Sequence, residues 1–148
     1  MKLRSVVAAF VAAFFIVALG TGPADAASSI QFRRIQYDSP GKDTGSNTSL
    51  NGEYVVLKNV TTRNISITNW TVRDASNHVY KFGTFTLGAG KSVTLHTGKG
   101  TNSSTHRYWG SGAYIWNNTG DTATLKTPSG TTAYTCRWTS AGSGYKNC

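Results

Sequence analysis

An aspartate and a histidine four residues apart, Asp74 and His78, bracket the segment DASNH and come nearer than any other pair in the sequence to a catalytic unit. A carboxylate that orients an imidazole, with a serine brought up by the fold, would make a nucleophilic hydrolase. The same two side chains at the tip of a polar turn have a plainer use, which is bonding their own backbone. General acid and base chemistry would otherwise need paired carboxylates. Beyond residue 26 the chain offers only five acids, Asp38, Asp43, Glu53, Asp74 and Asp121. The three histidines, His78, His96 and His106, lack the i, i+2 or i, i+4 spacing of a transition-metal site. No catalytic residue, no cofactor and no metal is expected.

Other motifs fail on their context. LGAGKS ends like a phosphate-binding loop, but the first glycine of G-x-x-x-x-G-K-[ST] falls at Phe85, and VTLH reads as a strand where that motif needs a helix. GKGTNS carries Ser103 where a dinucleotide fingerprint needs its third glycine. Asp38, Asp43 and Asn47 lie in one loop, as oxygen ligands of an extracellular calcium would, yet their spacing fits no EF-hand and suits turn formers equally. N-x-S/T triplets at Asn64 and Asn69 are glycosylation acceptors only in a eukaryotic secretory route.

Charge and aromatic content carry more. The whole chain has a formal net charge of +9. The cations beyond residue 26 are spread along the sequence rather than run together. Such an excess draws anionic polymers at long range, among them wall teichoic acids, lipid headgroups and extracellular DNA, and it also simply keeps a secreted protein soluble. Alternation along their strands turns Lys58, Arg73 and Lys126 outward, so strand order decides whether they share one wet face. The stretch YWGSGAYIWNNTGDTATL sets Tyr108, Trp109, Tyr114 and Trp116 among small residues. Exposed and coplanar, those rings would form a sugar platform; buried, they are core. In a strand, Ile115 and Trp116 point to opposite faces, which leaves Tyr108 and Tyr114 as the candidates for an exposed contact.

These side chains need elements to hold them. Lys2 and Arg4 precede the apolar run Val6 to Leu19 and then GTGPADAA, the layout of a secretory signal peptide cleaved between Ala26 and Ala27. The run is fourteen residues, short of the ~20 that span a bilayer, and no later stretch is apolar enough to do so. Cleavage takes away two cations and one anion, leaving 122 residues at a net +8, the size of one domain. Export places Cys136 and Cys148 in an oxidising space, where one bridge pinning the tail TSAGSGYKN is expected; a metal pair would need C-x-x-C spacing.

The remaining chain is rich in Thr, Ser, Gly, Asn, Val and Tyr, with period-two alternation over short runs, an all-β signature. Strands are expected at Ser29–Tyr37, Glu53–Asn59, Ile65–Asn69, Trp70–Asp74, Val79–Phe82, Lys91–His96, Ala113–Trp116, Thr122–Thr127 and Thr131–Trp138. DASNH and TPSG read as hairpin turns, and LGAGK as a site of positive φ. Val55 with Leu57, Val93 with Leu95, and Ala123 with Leu125 form the inward sets, and Lys126 faces out. No stretch keeps the 3.6-residue period over ten residues, so helix is minimal and a sandwich or barrel is expected.

The order NGEYVVLKN, ISITNWTVRD, YKFGTFTLGAGKSVTLHTGKGT, YWGSGAYIWNNTGDTATLKTPSG, from Ile30 to Tyr134, resembles the lamin-tail domain in its bacterial secreted form. The resemblance implies an immunoglobulin-like β-sandwich with Trp70 of the NW step in the core and Trp109-Gly110 closing the long connection before a late strand. It also implies a non-enzymatic binding or attachment module with no catalytic residues to carry over. The Cys136/Cys148 segment lies outside the shared motifs. The expected protein is therefore secreted and binds at or near the cell envelope, to a protein or an anionic polymer. A carbohydrate-binding module and an extracellular nucleic-acid-binding module are the alternatives.

Overall fold

A computed structural model describes residues 28–148; the expected signal peptide and its Ala26/Ala27 cleavage point lie outside the described residues. The described chain runs β1 (Ile30–Gln36), α1 (Asn47–Asn51), β2 (Tyr54–Asn59), β3 (Ile65–Ser66), β4 (Thr71–Arg73), β5 (Val79–Lys81), β6 (Thr86–Leu87), β7 (Ser92–His96), β8 (His106–Tyr108), β9 (Asp121–Lys126), β10 (Thr132–Trp138) and β11 (Tyr145–Asn147). A five-stranded sheet, β11-β1-β2-β7-β8, packs against a four-stranded one, β10-β9-β4-β5, with β3 and β6 forming a small third sheet. All pairings are antiparallel except β7 with β8.

Alternation decides the core, because successive strand residues point to opposite faces. From the five-stranded sheet Ile30, Phe32, Ile35, Val55, Leu57, Val93 and Leu95 point inward, and from the other Val72, Ala123, Leu125, Cys136 and Trp138 meet them; all are buried. The inward sets expected on β2, β7 and β9 are the ones observed. A register shift between Phe32 and Arg34 on β1 lets Ile35 point inward again. The hairpin turns at DASNH and TPSG lie where expected, joining β4 to β5 and β9 to β10. In LGAGK only Gly90 has positive φ, at 67°.

Three local differences have physical causes. Residues 113–116, expected as a strand, are irregular. Ser111 Oγ bonds both the amide and the carbonyl of Ala113, and the Ile115 amide goes to a side chain instead of a neighbouring strand. Freed from period two, Ile115 and Trp116 are both buried, which corrects the expectation that only one would be. Trp70 is half-buried and leans on the core from its edge, less enclosed than the resemblance implied. Within the expected loop, Ser46 caps α1 by accepting the Ser49 amide at 3.2 Å, and buried Leu50 ties that short helix down.

Candidate functional site

Burial of the acids sets the sign of the surface. Asp74 accepts the His78 amide at 2.7 Å through Oδ1 and the His78 Nδ1–H at 2.6 Å through Oδ2, while its own side chain is fully buried. This is a staple across the β4–β5 turn, and among the described residues no hydroxyl bonds the His78 ring, so the pair stands apart from any nucleophile. Asp121 takes the Ala75, Thr122 and Asn117 amides at 2.9, 2.7 and 3.1 Å. Glu53 lies inside, on the Val55 and Leu57 side of its strand. Three of the five acids are thus withdrawn from the surface, leaving Asp38 and Asp43 in one loop.

Glu53 is the strongly perturbed group. Its Oε1 accepts the Thr97 hydroxyl at 2.6 Å and the Ile115 amide at 2.8 Å, while Oε2 is buried without a partner. Burial pushes its pKa from 4.5 up to about 7, against the downward pull of Thr97 and of the Ile115 and Trp116 amides. The Asp43 charge adds the smallest upward push, and the bonds to Thr97 and Ile115 make Glu53 the anchor of a loop.

The cations are left without carboxylates. Among the described residues the His78 and Asp74 contact is the one ion pair, and no lysine or arginine has an acidic oxygen within 4.0 Å. Two arginines lie over rings instead, Arg34 above Tyr145 at 3.7 Å and Arg107 above Phe85 at 4.0 Å.

Strand order then divides the three cations expected on one face. Lys58 belongs to β2 of the five-stranded sheet, between Gln31 and Ser92, whereas Arg73 and Lys126 belong to β4 and β9 of the opposite sheet. The expected trio is corrected to two of its members joined by others. Thr71 pairs with both Lys81 and Lys126, Arg73 with Val79 and Thr124, Thr135 with Thr124, and Arg137 with Thr122. The outer face of β5-β4-β9-β10 therefore carries Arg73, Lys81, Lys126 and Arg137 in a field of threonines with no acid among them. None of these residues is buried. Lys81 and Arg137 were missed because outwardness was read strand by strand, while the grouping depends on β4 pairing with a strand some fifty residues later.

The aromatic stretch does not form a platform. Trp109 and Trp116 meet edge to face at 87° with centroids 6.0 Å apart, and Trp116 is 3% exposed. The Tyr114 hydroxyl shares a 2.6 Å hydrogen bond with Ser49 and accepts the Gly45 amide at 3.3 Å, fixing the loop around α1. Tyr108 is half-buried beside His96, with ring centroids 5.0 Å apart. Both tyrosines thus make internal contacts.

On the outer face of the five-stranded sheet two histidines meet, which their sequence spacing concealed. His96 donates Nδ1–H to the Asn51 carbonyl at 3.0 Å, so its Nε2 is the acceptor for His106 Nδ1–H at 3.0 Å. The 5.2 Å between centroids is nearly the largest that contact allows, so the rings meet head-on, edge to edge, across a proton. Burial, more than the neighbouring His106, pulls the His96 pKa down, while the Asn51 bond acts upward.

The chain folds as two packed β-sheets with Trp116 buried against Trp109, and a family model described as Lamin Tail Domain matches residues 23–140. The chain belongs to the Lamin Tail Domain family. Comparison with curated proteins returns no match. The fold of the lamin tail domain is immunoglobulin-like, and the family is one of non-enzymatic modules. A bridge, Cys136 to Cys148 with Cα atoms 5.9 Å apart, ties the lamin tail domain to the segment that follows it. Residues 141–148 lie beyond the family match. Among the described residues no helix is long and apolar enough to cross a membrane.

Proposed function

We propose that this lamin tail domain is a secreted, non-enzymatic attachment module that holds an anionic polymer of the cell envelope on the outer face of β5-β4-β9-β10. The observation that carries this reading is the set Arg73, Lys81, Lys126 and Arg137, none with a carboxylate partner, on one sheet face. Neighbouring strands lie roughly 4.8 Å apart and outward residues repeat at roughly 6.8 Å along each strand. A flat array on that scale suits repeating charges on an extended chain better than one compact anion. The threonine hydroxyls between the cations donate and accept hydrogen bonds to the polymer's polar groups. Burial of Glu53, Asp74 and Asp121 adds to the reading, since it removes the carboxylates that would compete for those cations. The apolar run with its flanking lysine and arginine, and the disulfide, support export.

Retention of mature protein on immobilised poly(glycerol phosphate) at rising salt tests it. Binding is expected to fall log-linearly with salt, and Lys81→Gln with Lys126→Gln to flatten the slope by about one per removed cation. Lys58→Gln, on the opposite sheet, is expected to leave the slope unchanged. Absence of retention at low ionic strength sinks the proposal, and stronger salt-dependent retention on DNA than on the polymer replaces it with nucleic-acid binding.

A further inference from the structure

The tail beyond the family match builds a cavity of about 520 Å³ against the end of β10, within the roughly 300–1,000 Å³ of small-ligand sites. We infer that this cavity, lined by Arg137, Lys146, Thr139, Ser140 and Ser143, binds a phosphorylated polyol or sugar unit. The inference rests on the anion-binding reading above and names the unit recognised.

The pocket is a formed structure. β11 returns antiparallel to β1, pairing Gln36 with Tyr145 and Ile35 with Lys146, and the bridge to Cys136 closes the loop. The Gly144 carbonyl accepts the Tyr37 and Asp38 amides at 3.1 and 3.0 Å, and the Tyr37 hydroxyl donates to the Ala141 carbonyl at 2.6 Å. Its lining includes the Tyr37 and Trp138 pair, stacked at 4.7 Å and 7°, with the indole fixed by donation to the Asn117 carbonyl at 2.8 Å.

Chemistry on the walls selects the ligand. Neither Arg137 nor Lys146 has a carboxylate partner. An arginine fork and a lysine point charge in one lining suit phosphate oxygens. The Thr139, Ser140 and Ser143 side chains are exposed, and the bonds that close this loop, Tyr37 Oη to the Ala141 carbonyl and the Gly144 amide to the Ala141 carbonyl, leave their hydroxyls free for a ligand. Side chains that both donate and accept match the hydroxyls of a polyol. Arg137 also stands on the cationic face, paired with Thr122, so a polymer lying across that face delivers one of its units to the pocket.

Titration of ¹⁵N-labelled mature protein with glycerol 3-phosphate tests this, with inorganic phosphate and glycerol as separate arms. Glycerol 3-phosphate is expected to shift Ser140, Ser143, Tyr145 and the Trp138 indole resonance, more tightly than either control. Lys146→Gln, at an exposed position, is expected to weaken binding about tenfold, and Arg73→Gln with Lys81→Gln to leave it unchanged. Equal binding of inorganic phosphate or glycerol overturns the inference, as do shifts confined to the sheet face. A probe this small cannot bridge the cationic face, so its binding stands or falls separately from polymer retention.

Discussion

The amide of Ile115 donates to Glu53 Oε1 at 2.8 Å, joining two points sixty-two residues apart. Thr97, after β7, donates its hydroxyl to the same oxygen, and its amide bonds the Glu53 carbonyl at 3.1 Å. One carboxyl group at the start of β2 thereby holds the irregular segment that carries Trp116 into the core. A strand would have satisfied that amide through a ladder, and here a buried side chain does so instead.

Stability is expected to carry the signature of Glu53. Its pKa is raised from 4.5 to about 7, so the folded state holds the proton more tightly than the unfolded one. The contribution is fully present below pH 4.5 and is lost as pH rises through 7, a change on the order of 3 kcal/mol. His96 acts in the opposite sense: its lowered pKa reduces stability as pH falls below 6.5. Urea unfolding at several pH values between 5 and 8 is expected to show Glu53→Gln losing the decline toward high pH, leaving the opposite, histidine-type slope. Parallel pH profiles for variant and wild type contradict this.

Gly110 and Gly112 make a matched pair. A Cβ on either would meet nothing within 4 Å, but Gly110 has φ +79°, and its amide bonds the Gly98 carbonyl at 2.9 Å. Gly110→Ala is expected to destabilise by about 1 kcal/mol from left-handed backbone strain alone, and Gly112→Ala to be neutral or stabilising by a few tenths. Chemical denaturation of the two variants decides; equal effects would place the cost elsewhere than in φ.

Legibility in the sequence followed periodicity. Val55 and Leu57, Val93 and Leu95, and Ala123 and Leu125 announced their faces because each lies in a strand with one wet side, and the same alternation put Glu53 on the inward side. It was silent on β8, three polar and aromatic residues whose partner β7 runs parallel to it. Without β8 the meeting of His96 with His106 had no visible cause. Asp74 looked like a turn residue, and only the packed structure shows that the amide bonds of Asp74 and of Asp121, which opens β9, also take them out of the surface charge. Lys58 was separated from Arg73 and Lys126 by sheet assignment, a non-local property that no local pattern encodes.

Replacing Cys136 and Cys148 by serine is expected to loosen the tail while the sandwich remains. The bridge closes a loop of sequence separation 12, worth about 3 kcal/mol in the chain-entropy model. Without it, the tail keeps the short pairing of β11 with β1, the Gly144 carbonyl contacts, the Tyr37 bond to Ala141 and the Arg34 contact with Tyr145, all non-covalent. The core sets of β1, β2, β7 and β9 include neither Cys148 nor any residue of 141–147. Hydrogen exchange is therefore expected to lose protection at Arg34, Gln36 and residues 144–147, with β2 and β9 amides still among the slowest. Binding of glycerol 3-phosphate is expected to weaken with it, while salt-dependent retention on poly(glycerol phosphate) keeps the part of its slope set by Arg73, Lys81 and Lys126, which lie on strands that the tail does not pair with. Loss of protection throughout both sheets would mean instead that the bridge holds the whole sandwich together.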